Sequence, residues 1–458
     1  MELAIRPGSC VSLGRKVLDV NVHNEAAGLT LRFFSLAKLH HDSQGRLRTF
    51  TPTMAQEWWQ PFLHRFSKIV IHARVTPNHI EDRGYYVDDP HITVIPMPYY
   101  EGVLGYIRKL APIRKFIASR ITEPGDHYGL WVPSQIASIV TRQVSKMNAP
   151  LLAIVIGDGA AVATSIAPAP FKRILAKYVA RQDRKSVSRA SGVIYVTLNA
   201  LQLKYPARPG ALTLARSNVQ LSEDLLSERP RDIDAAAARD GLSLIAVGSQ
   251  EQNYKGHDIL IEAVAALQRE GYRLRLTIVG EGKLHETLRA QAANLGVRDV
   301  TFIKRVGDSG DVAKEIARHD IFVMPSRTEG MPKTLLEAMA VGTFALGSDV
   351  GGIPEVLDSE CVFEVNSVDA IVKTLGIFLE NPGRISSQAR AQYDTIRHFL
   401  VNHAGTPVLM RFLDDWVETS QLGIPTDDSP NVFGQQPSLI INDDPGPRHS
   451  SDHKTKVD

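Results

Sequence analysis

Short runs rich in Val, Ile and Leu alternate along this chain with segments whose apolar residues recur at helical spacing. That alternation builds parallel sheets covered by helices on both faces. In the first half it predicts strands at residues 16–20, 68–73, 93–96, 151–156 and 192–197, with helical patterns filling the spaces between. In the second half the strands fall at 243–247, 273–279, 300–303, 321–324 and 343–347, with helices near 259–269, 284–293 and 312–317. Between the halves, residues 222–241 turn polar and then alanine-rich around Pro230, the composition of a linker or a short connecting helix. The fold class is therefore α/β, with one doubly wound domain over residues 1–235 and a second over 236–395. From Gly423 onward Pro, Asp, Ser and Asn crowd the sequence, and the tail 423–458 is expected to be disordered for want of apolar residues to bury.

Composition narrows this little. A chain of 458 residues holds two cores of ordinary size. A hydrophobic fraction of 43%, a charged fraction of 22% and a net charge of +2 are those of a common globular protein, and nucleic acid is not an expected partner. Cys10 and Cys361 are too few and too distant for a disulfide framework or a thiol metal site. No run has the apolar length of a signal peptide or a spanning helix, so the expected location is the cytoplasm, with contact to the inner face of a membrane left open.

Candidate chemistry concentrates in IFVMPSRTEGMPKTLLEAMAVGTFALGSDVGGIPEVL, residues 321–357. An apolar strand runs into a loop carrying Glu329, and Gly330, Met331 and Pro332 open a helix containing Lys333, Thr334 and Glu337. Proline is tolerated near the first helical turn, where its missing N–H would have had no partner. The free N–H groups of that turn make an anion site at the carboxyl end of a strand, suited to a diphosphate. Glu329 and Glu337 would then grip hydroxyls on either side of it; read alone, they are equally well solvated acids of a helix start. A second segment, residues 246–267, runs from a strand through Gly248 and Ser249 to Lys255 just ahead of a helix, where a lysine neutralises phosphate or simply borders a turn. In a third, Gly280, Glu281 and Gly282 follow a strand, but His285 occupies the place of the third glycine of a dinucleotide fingerprint.

Together, in order and spacing, these three segments resemble the nucleotide-binding half of the retaining glycosyltransferases of family 4. That family has the GT-B fold, two facing Rossmann-like domains with a central cleft. Its paired glutamates, separated by seven residues, fall on Glu329 and Glu337, and GGIPEVL follows. The resemblance covers residues 243–357 well and the first two hundred in outline. It implies a hexosyl or other glycosyl transfer from a nucleotide-sugar to a lipid-linked, saccharide or other acceptor, in polysaccharide or glycolipid biosynthesis. Glu329 would contact the donor sugar, Glu337 the ribose and Lys255 the diphosphate. Backbone from Gly330 to Thr334 would hold phosphate, and Gly280 to Gly282 with Lys304 and Arg305 would border the nucleotide. A helix over 386–418 would cross back, with residues 396–422 as the segment that returns to the first domain.

Departures from the family are specific. Ser249 stands where an arginine usually shares the diphosphate, leaving Arg305 or Arg327 as replacements, and Lys304 stands where a glycine is usual. In the first half Gly28 falls in the expected first strand-to-helix turn, as a backbone approach site for the donor. Asp158, closing the apolar run 151–156, either orients the attacking hydroxyl or caps the next helix. No acid pair is placed for a metal, since Asp232 and Asp234 lie in the linker, so no metal or other cofactor is expected. Two basic stretches remain, 105–122 and 170–192. The first, with Arg108, Lys109, Arg114, Lys115 and Arg120 among apolar residues and no acid, is suited to an anionic bilayer or to a solvated face, with Pro112 interrupting its helix. The second lines the acceptor side or is simply solvated. A nucleotide-sugar epimerase, a sugar phosphorylase and a non-catalytic nucleotide-sugar-binding partner are the alternatives.

Overall fold

The computed structural model describes residues 28–77, 84–166, 169–217, 241–307, 309–403 and 406–422. The expected strand at 16–20, all but the last residue of the 222–241 connection, Asp232 with Asp234, and the tail 423–458 lie outside the described residues.

The first sheet contains β1 (Thr30–His41), β2 (Leu47–Thr49), β3 (Lys68–Val75), β4 (Tyr85–Tyr86), β5 (Ile92–Met97), β6 (His127–Val132), β7 (Leu151–Val155), β8 (Gly192–Tyr195) and β9 (Leu212–Ala215). Its parallel strands run in the order β5-β3-β1-β6-β7-β8-β9, and β2 and β4 extend it antiparallel. The helices here are α1 (Gln56–Leu63), α2 (Gly102–Arg120), α3 (Ala137–Lys146), α4 (Gly159–Ile166), α5 (Lys172–Val187) and α6 (Ala200–Lys204). Central strands are buried throughout, β6 and β7 at every position, as helices on both faces require.

The second sheet, β10 (Leu242–Val247), β11 (Leu274–Val279), β12 (Val300–Ile303), β13 (Ile321–Met324), β14 (Phe344–Ser348) and β15 (Val362–Phe363), has the order β12-β11-β10-β13-β14-β15, all parallel. This is the doubly wound order whose direction reverses between the first and fourth strands, here between β10 and β13, opening a crevice at their carboxyl ends. Its helices are α7 (His257–Arg269), α8 (His285–Asn294), α9 (Ser309–Ile316), α10 (Lys333–Ala340) and α11 (Val368–Glu380).

Two helices close the described chain. In α12 (Pro382–His403) Gln392 bonds both backbone groups of Ala345 in β14, so this helix belongs to the second sheet. In α13 (Thr406–Leu422) Phe412, Leu413 and Trp416 enter the core of the first, and the Trp416 indole donates to Ser191 Oγ at 2.9 Å. The single helical run read over 386–418 is thus two helices, with Pro407 in the first turn of the second.

Three further expectations are corrected. Gly28 does not lead into a helix: it precedes β1, at the amino edge of the sheet, whereas ligands of parallel sheets bind at the carboxyl edge. Strands β1 and β6 fill what the sequence pattern read as helical spacing. And Pro112 does not interrupt α2, which continues through it to Arg120. Pro112 and Arg108, whose carbonyl loses its donor, are both exposed, so water takes the bond.

Candidate active site

The loops that leave β10 and β13 meet at the switch point. After β10 the chain turns through Asn253–Lys255 into Gly256, which adopts a left-handed φ of +69°. A side chain on Gly256 would run into the Pro325 carbonyl, so the two loops approach as closely as they do only because no Cβ intervenes. Gly248 has a related reason: the aliphatic stem of Lys255 lies across it. The result is that Lys255 Nζ reaches Glu329 Oε1 at 2.6 Å, and Ser326 Oγ donates to the same oxygen at 2.6 Å. Both charged side chains are mostly buried, at 18% and 11% exposed.

Helix α10 starts immediately beyond. Pro332 is its extended N-cap, and no side chain caps the turn, so its first N–H groups point to the crevice unclaimed by a cap. Within it Glu337 is 2% exposed, with Lys333 Nζ at 3.5 Å from its carboxylate. Met331 and Pro332 are buried beneath this entry, and Thr334 is half-buried in its first turn. The glycines at 280 and 282 leave β11 beside the β10 loop, where the buried Gln250 pairs with His285 Nδ1 at 2.8 Å. Lys304 and Arg305 leave β12 exposed, with Arg305 at 3.7 Å from Glu281.

The replacement for the missing arginine is thereby narrowed. Ser249 is exposed and its hydroxyl accepts from the Glu251 amide at 3.3 Å. Arg327 is committed: it forks onto both Asp258 oxygens at 2.9 Å and also donates to the Asn253 carbonyl at 2.6 Å and Asn366 Oδ1 at 2.8 Å. Such a bidentate pair fixes the Lys255 loop to the Glu329 loop and leaves little for a ligand. Arg305, exposed and 3.7 Å from Glu281, is the less committed of the two.

The first domain meets this crevice at the ends of β7 and β8. Gly330 packs against the Ile156 carbonyl and Val196, where a side chain would clash with the carbonyl. Asp158 takes the capping role of the two open to it. Its Oδ1 accepts from the Ala160 amide at 3.0 Å and from Tyr205 at 2.5 Å, and its Oδ2 pairs with Lys204. Burial pushes its pKa up, but the Lys204 and Tyr205 donors prevail and hold it below the usual carboxylate range. An acid so satisfied is a poor proton acceptor.

Behind it, Asp183 is 3% exposed with Oδ2 unpartnered, and burial, then the charge of Asp158, raise its pKa to about 7. A folded-state pKa above the unfolded one means the native state holds the extra proton, so this group erodes stability as pH rises from about 4 to about 7. Asp183→Asn is expected to raise the melting temperature by a few degrees at pH 8 and hardly at all at pH 4, measured by calorimetry. An equal gain at both pH values would assign the effect to packing instead.

Sequence reasoning did not identify Ser326, Asp258, Asn366, Lys204 or Tyr205. Asp258, an acid in the first turn of the helix after Lys255, carried a usable signal; the others carried none. Among the described residues no group of three or more His, Cys, Asp or Glu is placed to hold a metal ion.

Comparison with known proteins agrees with this geometry. Residues 229–396 match the model of the family described as "Glycosyl transferases group 1". Protein CapJ of Staphylococcus aureus is 26% identical over 320 residues, 69% of this chain and 78% of that protein. A GDP-mannose-dependent alpha-(1-6)-phosphatidylinositol monomannoside mannosyltransferase of Mycolicibacterium smegmatis is 35% identical over 147 residues, 30% of this chain but only 38% of its own length. The crystal structure of the Anabaena protein HepE in complex with UDP and glucose superposes with a TM-score of 0.57 at 15% identity, covering 85% of this chain and all of that one. At that identity the likeness establishes the fold: two doubly wound domains facing across a cleft, the GT-B architecture.

Proposed function

We infer the activity of this chain from its membership, over residues 229–396, of the glycosyl transferases group 1 family: it transfers a sugar from a nucleoside diphosphate to an acceptor hydroxyl. The observation that carries the reading is the meeting of Lys255 and Glu329 at the β10–β13 switch point, beside the uncapped start of α10. A cation and a helix amino end together supply positive charge where a diphosphate leaves, an electrostatic task akin to holding an oxyanion. Glu329 faces the sugar side and Glu337 the ribose side. Lys255 is paired with Glu329, and an incoming diphosphate would compete for it.

The anomeric configuration is retained in this proposal. The acceptor oxygen bonds to the anomeric carbon on the face from which the diphosphate departs, and the hydroxyl proton passes to a departing phosphate oxygen. No second carboxylate is needed as a nucleophile, and Asp158, already satisfied, positions Lys204 and Tyr205 rather than taking that proton. Lys255, α10 and Arg305 supply the charge that a divalent metal would otherwise bring. Transfer is expected to persist in excess EDTA with the donor's configuration preserved; abolition by EDTA with rescue by Mg²⁺ or Mn²⁺ would overturn metal independence.

A lipid-linked acceptor is supported by the surface of the first domain and by the named relatives, which include a phosphatidylinositol monomannoside mannosyltransferase and a protein named CapJ. On α2, Val103, Leu104 and Ile107 are 53%, 71% and 58% exposed beside Arg108, Lys109, Arg114 and Lys115. Phe171, with Ile174 and Tyr178 of α5, is exposed among Lys172, Arg173 and Lys177. Among the described residues no helix is long and apolar enough to cross a membrane. An apolar face rimmed by cations instead suits the surface of an anionic bilayer, at the cytoplasmic leaflet, with a lipid-linked acceptor. Charge reversal at Arg114 and Lys115 should reduce binding to phosphatidylglycerol vesicles at low salt, with the difference shrinking at high salt. A wild-type protein that ignores such vesicles would end the membrane reading.

A further inference from the structure

The Glu355 carboxylate crosses from the second domain to the first. Its Oε2 accepts from the Leu198 amide at 2.6 Å, and its Oε1 accepts from the Asn199 and Ala200 amides at 2.8 and 2.7 Å. The next amide, Leu201, is taken by Thr197 Oγ1 within the first domain. Three of the four consecutive amides that lead into α6 are thus satisfied by a side chain of the other domain. A carboxylate bound by several backbone N–H groups is among the stronger polar contacts available.

Both ends of this contact lead into the site. Glu355 closes the short turn Ile353–Glu355, just after Gly351 and Gly352. The Gly352 amide donates to the Gly330 carbonyl at 2.7 Å, and Gly351 lies so close to the Glu329 carbonyl that a side chain would not fit. The loop that presents Glu329 to Lys255 therefore rests on the turn that carries Glu355. On the other side, α6 runs from the held amides to Lys204 and Tyr205, which grip Asp158 at the end of β7. Gly330 meets Ile156, two residues before Asp158, across the same gap.

We propose that Glu355 is a positioning residue for transfer: through the amides of Leu198, Asn199 and Ala200 it holds the two domains in the register that sets the Glu329 loop against the acceptor-side end of β7. This rests on the transferase reading for its catalytic consequence but not for its structural one. In the transferase reading the nucleotide is bound by residues of the second domain, so Glu355 would affect the arrangement of the domains rather than nucleotide affinity. Chemistry requires the acceptor, on the first domain, to be held in line with the donor, and small misplacements of reacting groups are costly.

The test compares Glu355→Ala, Glu355→Gln and wild type as full chains, each by small-angle scattering without ligand, by titration with UDP and with GDP, and by transfer kinetics. Scattering should show a larger radius of gyration for Glu355→Ala, with Glu355→Gln between it and wild type, because one amide oxygen still accepts from Asn199 and Ala200. Affinity for whichever nucleotide binds should change by less than about twofold, while kcat falls at least about tenfold with little change in the donor KM. Superposable scattering and unchanged kcat would overturn the proposal, and so would loss of nucleotide affinity, which would place Glu355 at the nucleotide. Should Glu355→Ala fail to fold, Glu355→Gln carries the same comparison. If wild type transfers no sugar from any donor, the transferase reading fails, and the scattering comparison still decides whether Glu355 holds the domains.

Discussion

Lys255→Ala is expected to lower the rate of sugar transfer at least tenfold, about 1.4 kcal/mol of transition-state stabilisation, without unfolding the protein. The lysine sits at the switch point with its stem across Gly248 and its ammonium on Glu329, partly buried, so little water screens its charge on an arriving diphosphate. Arg327 cannot substitute, because Asp258, Asn253 and Asn366 already hold it. The fold should tolerate the change, since the Arg327–Asp258 fork and the Gly256–Pro325 contact continue to join the two loops. Steady-state kinetics with circular dichroism on the same sample check this, and unchanged kinetics in a folded variant would remove Lys255 from the site.

Glu337→Gln is expected to weaken nucleotide binding roughly tenfold, about 1.5 kcal/mol for a hydrogen bond to a charged acceptor, while kcat at saturating donor stays near wild type. A ribose contact is made equally in the ground and transition states, so its loss appears in affinity. Glutamine preserves the shape of a side chain that is 2% exposed, which separates this effect from the packing damage alanine would cause. Titration calorimetry with the free nucleotide gives the answer. Normal affinity in the variant would leave Glu337 with a structural role instead.

The second domain was legible because its strands are continuous apolar runs bounded by glycine and polar loops. Its five expected strands match β10 to β14 to within one residue at each end. The spacing of Glu329 and Glu337 across a strand, loop and helix start likewise needs only local folding to become a site. Strands β1 and β6 were illegible for two physical reasons. In β1 the buried positions do not alternate strictly with open ones, Phe33, Phe34 and Ser35 being buried in succession, so it reads as well at helical spacing. In β6, Gly129 breaks the apolar run because the Phe33 ring fills the space its side chain would need. The reading of Gly28 depends on the same segment: a helix over the residues of β1 would put Gly28 in a strand-to-helix turn, whereas it leads into a strand.

Contacts between the domains were beyond the sequence altogether. Glu355 and the amides of residues 198–200 are more than 150 positions apart, and nothing local marks those amides as lacking an acceptor. The same holds for Lys204 and Tyr205 on Asp158, where the residue was singled out but its partners were not. The sequence pattern therefore reaches the loops and helix starts that local folding assembles in the second domain, and not the contacts made only when the two domains meet.

The central claim is that a sugar leaves a nucleoside diphosphate at the Lys255–Glu329 crevice and joins another molecule. The most direct measurement incubates the full chain with a panel of UDP-, GDP- and ADP-sugars and with saccharide and lipid-linked acceptors, and follows the products by mass spectrometry. The account predicts that one donor is consumed, its nucleoside diphosphate is released, and an acceptor gains the mass of one glycosyl unit, all reduced at least tenfold in Lys255→Ala. A donor epimerised without release of nucleotide, or bound and returned unchanged with every acceptor, would contradict it.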